Sequence, residues 1–142
     1  MEPNRILPDL QCSLMCEQIR QEANGNFFLI GIISHISIPK LPVGVAILCV
    51  FNRWTAGIGK FQEQVRLMAP DGETIVSEVK GAFELQNANL NHTSVSVFRQ
   101  IEIKFDGIYF MEVAVDDVLK LRYPVPVVVP EQLPSAGKPE NQ

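Results

Sequence analysis

The chain has 142 residues, 46% of them hydrophobic, with twelve Lys and Arg against sixteen Asp and Glu and a formal net charge of −4. That length supplies one substantial core rather than two, and that apolar content excludes a globally disordered chain. The sparse, slightly acidic charge argues against nucleic acid as a partner, and no uninterrupted apolar run reaches the roughly 18 residues of a membrane helix. The opening residues lack a basic segment followed by an apolar run, so the expectation is a cytoplasmic protein with no membrane contact.

Residues 1–8 contain Pro3 and Pro8 and read as a flexible leader, ahead of a single domain over 9–130. Leu10, Cys12, Leu14 and Cys16 fall at every second position, which supports a strand. A helix through Leu10, Leu14 and Ile19, capped by Asp9, competes with it. On the strand reading, residues 17–26 form a hairpin connection with its turn at Asn24-Gly25. Residues 27–37 read as one hydrophobic strand, which Pro39 and Pro42 close.

Residues 43–53 supply a buried run, and the glycine-rich stretch 55–60 a connection. In 61–68 the alternation places Phe61, Val65 and Leu67 on one face. Pro70-Asp71-Gly72-Glu73 marks a turn before a strand over 74–84, and the Asn-rich stretch 86–92 suits a surface loop whose asparagines bridge backbone donors.

Residues 94–105 and 108–115 read as strands joined by Asp106-Gly107 in a type I′ hairpin, where both central residues take positive φ. Val95, Val97, Ile101, Ile103 and Phe105 share one parity, interrupted by Arg99; Tyr109, Met111, Val113 and Val115 share another. Asp116-Asp117 makes a further turn before the last strand over 119–129. Pro124 and Pro126 cannot donate ladder hydrogen bonds, so that strand belongs at an edge or is split by a bulge. A flexible polar tail covers 131–142. Seven or eight short antiparallel strands at this spacing predict an all-β sandwich rather than a βαβ protein.

The strand at 10–16 followed by Asn24 to Ile32, the segment Val65 to Gly72, and the segment Phe105 to Asp116 together resemble an uncharacterised family of small bacterial proteins, classed as a domain of unknown function. The resemblance covers about residues 9–129 and implies an immunoglobulin-like architecture. It carries no catalytic residues over.

The chemistry-bearing residues are dispersed. Cys12, Cys16 and Cys49 are an odd set, as expected of reduced thiols in a cytosolic core. Residues 12 and 16 of one strand lie roughly 13 Å apart, too far for a disulfide or a shared zinc, while Cys49 is free to approach either. His35 and His92 belong to no metal or nucleophile motif. Asp71, Asp106, Asp116 and Asp117 suit turns. Gly57-Ile58-Gly59-Lys60 lacks the spacing and the hydroxyl residue of a phosphate loop. No catalytic, metal or cofactor site is expected, and the chain is read as a non-enzyme.

Asn52-Arg53-Trp54 is the most plausible exposed contact cluster, since Trp offers contact area and Arg paired hydrogen bonds. Tyr123 on the proline-interrupted last strand offers a second. The expected function is a module that binds a protein partner or itself through Arg53, Trp54 or Tyr123. The alternatives are a small-molecule-binding sandwich and a structural part of a phage or secretion assembly.

Overall fold

The computed structural model describes residues 5–129. Among them there is no helix, and nine strands form two sheets: β1 (Asp9–Gln21), β2 (Phe27–Ile32), β3 (Ile36–Ser37), β4 (Val43–Thr55), β5 (Gly59–Met68), β6 (Ile75–Leu85), β7 (Asn91–Ile103), β8 (Gly107–Val115) and β9 (Val118–Val128). One sheet runs β2-β1-β4-β7 and the other β3-β9-β8-β5-β6. The all-β sandwich stands as expected. The strand number exceeds the expected seven or eight because Phe27 to Ser37 is two strands in different sheets: Gly31 takes φ +68°, the chain turns at Ser34-His35, and β3 then pairs parallel to β9.

Residues 10–16 are strand, not helix, and the strand continues through residues first read as loop. The first half of β1 pairs with β4 up to Cys16 opposite Cys49, and its second half pairs only with β2. Asn24-Gly25 does supply the turn, with Gly25 at φ +93°. The segment read as a loose leader is partly built in: Ile6 pairs with Ile58 through reciprocal backbone hydrogen bonds of 2.9 Å, and Leu7 packs against the core. The tail over 131–142 lies outside the described residues.

The expected hairpin at Asp106-Gly107 does not exist. β7 and β8 belong to opposite sheets, so this segment is a crossover between layers. Gly107 alone of the pair takes positive φ (+133°), whereas a type I′ turn needs both. The Tyr109 hydroxyl reaches back to donate a 2.7 Å hydrogen bond to the Phe105 carbonyl, which pins the corner. The type I′ chemistry sits one strand later. Asp116 (φ +48°) and Asp117 (φ +66°) form the two-residue loop between the paired residues Val115 and Val118.

That strained turn is tied to β5. The Gln62 backbone N–H donates to Asp116 Oδ1, Gln64 Nε2 donates to Asp117 Oδ1, and Arg5 pairs with the Asp116 carboxylate.

The core takes alternate residues from both inner faces, as strand periodicity requires. Tyr109, Met111, Val113 and Val115 of β8 are all buried, on the parity expected. In β7 the alternation changes phase at Gln100, whose φ is +54°: Phe98 and Ser96 point inward before it, Ile101 and Ile103 after it. Val95 and Val97 therefore fall outside the core parity to which they were assigned, and Phe105, past the end of β7, is exposed.

In β9 the Val128 carbonyl accepts from the Ile38 N–H on the outer side. Pro124 and Pro126 share that parity, so their missing donors face outward and leave the ladder to β8 intact.

Candidate interaction surface and the buried polar cluster

Trp54 and Arg53 are neighbours in β4 and therefore leave opposite faces of the sheet. Trp54 is fully buried, stacked on Phe83 with ring centroids 5.7 Å apart, and its indole N–H donates to Glu63 Oε2 at 2.7 Å. It is a core residue, which removes it and the equally enclosed Asn52 from the exposed cluster expected. Arg53 lies on the outer face, half-buried, with its guanidinium over the Phe51 ring and its Nε 3.4 Å from the Thr93 hydroxyl. Tyr123 is also half-buried, its hydroxyl sharing a 3.0 Å hydrogen bond with Ser13 of β1. Burial pushes the Tyr123 phenol up from its ordinary value, partly offset by the Ser13 bond. That hydroxyl ties the two sheets together.

The polar centre of the molecule is Glu63. Ser13, Asn52 and Ser94 stand in register across β1, β4 and β7. Glu63 of β5 faces this row from the second sheet. Its Oε2 accepts from Asn52 Nδ2 (2.9 Å), Trp54 Nε1 (2.7 Å) and Ser94 Oγ (2.8 Å), although the residue is almost fully buried. Donors of this kind are what a buried carboxylate requires. Asn52 Oδ1 is the one fully enclosed side-chain polar atom among the described residues with no partner.

His92 lies beside the cluster, its ring parallel to that of Phe83 at 4.6 Å. Burial lowers its pKa, opposed by the charge of Glu63. Glu63 went unnoticed in the sequence, although it shares the inward parity of Phe61, Val65 and Leu67; a lone acid in an apolar row was the available signal.

His35 and His92 line different cavities and do not meet. The cleft beside His35, about 450 Å³, also touches Cys16 and Glu17. Yet burial, and then the neighbouring Cys49, push the Cys16 thiol up, and its nearest acceptor is the Leu14 carbonyl. His35 Nδ1 lies 3.3 Å from the Ser34 hydroxyl. A nucleophilic pair needs a lowered thiol facing the imidazole, which is not what these contacts provide. All three cysteines are free, with Cys49 opposite Cys16 in the β1–β4 ladder.

An apolar row stands exposed on β2. This strand, FFLIGI, is the outermost of its sheet and contains neither charge nor proline. Phe27 meets Phe51 edge-on at 5.8 Å on the outer face of the sheet, while Phe28, Ile30 and Ile32 remain 50%, 39% and 58% exposed. The outer strands β6 and β7 are guarded, β6 by Glu78, Lys80 and Glu84 and β7 by Arg99 and Glu102, and the part of β9 that β3 leaves uncovered carries Pro124 and Pro126.

No curated protein matches the chain. A model of the family described as DUF6941, of unknown function, matches residues 11–128, from the first strand to the end of the last, and the chain therefore belongs to that family.

Proposed function

We propose that this chain is a non-enzymatic, immunoglobulin-like sandwich that associates with a second copy of itself through the free edge of β2. The observation that carries the reading is the row Phe28, Ile30 and Ile32, exposed on a terminal strand with no charged residue. Edge strands present unpaired backbone donors and acceptors, and monomeric proteins guard them with charge, proline or bulges. β2 has no such charge or proline. A two-fold antiparallel pairing centred on Ile30 would set Phe28 of one copy against Ile32 of the other without opposing any charges, which is what an isologous contact requires.

The immunoglobulin-like reading draws support from strand order. β4 beside β7, and β5-β8-β9 on the other layer, correspond to strands B-E and C-F-G of such domains. Tyr109, near the start of β8 and bonded four residues back to Phe105, matches the tyrosine corner of strand F. The three free thiols favour a cytoplasmic setting, and the resemblance of the strand pattern a bacterial source.

Sedimentation velocity over a wide concentration range tests the association. The parent chain should shift from monomer to dimer as concentration rises, and Ile30→Lys should remain monomeric. Ile75→Lys, a charge at a similarly exposed isoleucine on β6, should dimerise as the parent does. A parent that stays monomeric throughout, or a dimer that survives Ile30→Lys, refutes the proposal.

A further inference from the structure

We infer that the space between β6 and β7, beside Glu63, is a binding site for a small primary ammonium ion. Both strands are the outer strands of their sheets, and they leave a cavity of about 160 Å³ lined by Glu63, Gly81, Phe83, His92, Ser94 and Ser96 among others. Gly81 stands opposite Glu63 in the β5–β6 ladder, and a Cβ built on it would meet nothing within 4 Å. The gap exists because the residue facing the carboxylate has no side chain.

The donor and acceptor inventory selects the ligand. Oε2 of Glu63 is filled by three donors, whereas Oε1 accepts no hydrogen bond from the described residues and is not sealed from solvent. Glu63 forms no ion pair among those residues. Lys80, although it borders the cavity, pairs with Gln64 on the alternate parity and is exposed. A buried carboxylate with one open oxygen calls for a cation that donates hydrogen bonds.

The orphaned Asn52 Oδ1, on the amide already bonded to Glu63, adds acceptor character to the same cluster, and the Ser94 and Ser96 hydroxyls accept as well as donate. A divalent metal would want six or more oxygens with several charges, but the described residues contain no group of three acidic, His or Cys ligands. An ammonium needs only one carboxylate and two or three neutral acceptors. A short alkyl tail suits the apolar part of the lining that shares the parity of Gly81, Val79 and Phe83.

Trp54 is the chain's single tryptophan and donates to the same carboxylate, so its indole N–H resonance and fluorescence report on the site directly. Methylammonium and ethylammonium are titrated into the full chain, with sodium and tetramethylammonium at matched ionic strength as controls. The primary amines should give a saturating shift with a midpoint in the millimolar range, and the controls should not. Gly81→Val fills the gap without removing a Glu63 hydrogen bond and places a β-branched residue in a strand, where it is well tolerated. It should weaken amine binding at least tenfold, as should Glu63→Gln if that variant folds.

Equal shifts with sodium or tetramethylammonium, a linear response without saturation, or undiminished binding in Gly81→Val would each overturn the assignment and leave a cavity that holds water alone.

Discussion

Tyr109→Phe isolates one atom of the crossover between the sheets. The ring of Tyr109 is buried among core residues, and phenylalanine keeps that packing, so the substitution removes only the 2.7 Å hydrogen bond to the Phe105 carbonyl. A neutral hydrogen bond of this kind contributes about 1 kcal/mol net. Phe105 itself is exposed, so water can reach the freed carbonyl, and the desolvation penalty of a sealed acceptor does not add to the loss. The expected loss is thus about 1 kcal/mol, or roughly 4 °C in Tm for a chain of this length. Urea unfolding followed by Trp54 fluorescence should show a lower midpoint with an unchanged m value. Amide hydrogen exchange should quicken at residues 104–108 more than in the centre of β8. A midpoint that does not move, or a loss spread evenly over both sheets, would refute the idea that this hydroxyl pins the corner.

Glu63→Leu should lower stability by more than about 3 kcal/mol, because it orphans three donors, Asn52 Nδ2, Trp54 Nε1 and Ser94 Oγ, each worth roughly 1–3 kcal/mol when left buried and unpaired. Glu63→Gln retains an acceptor and should lose less; the reverse order in urea unfolding would show the charge to be a net burden. His92 should make the fold acid-sensitive. Burial lowers its pKa below the ordinary 6.5, with Glu63 opposing, so the folded state binds fewer protons than the unfolded one. The stability it contributes is complete above pH 6.5 and is lost as pH falls below that value. His92→Phe should flatten the stability profile between pH 7 and 5, and an unchanged slope would exclude His92 as the source.

The sandwich was legible because side chains in strands alternate, and Phe61, Val65 and Leu67 of β5 and Tyr109, Met111, Val113 and Val115 of β8 all keep the inward parity. The reading failed where backbone conformation breaks that period. Gln100 is a non-glycine residue in the left-handed region, which no side-chain pattern announces, and it moved Val95 and Val97 to the outside. Asp106-Gly107 carried the composition of a two-residue hairpin, but Tyr109 two residues on was the competing signal for a pinned crossover. Composition ranked Trp54 as a contact residue, whereas parity placed it on the face opposite Arg53. Glu63 was invisible as a site because its three donors come from β4 and β7, brought to it only by the packing of one sheet on the other.

Arg5 and Asp116 are 111 positions apart in the chain, yet they meet beside the last turn. Arg5 also donates to the Lys60 carbonyl and sets its guanidinium over Phe61, so one cation joins the start of β5 to the turn that follows β8. Loss of the Arg5 side chain would be felt at the turn between β8 and β9, where Gln62 and Gln64 would be left to hold the aspartate pair in its left-handed backbone geometry.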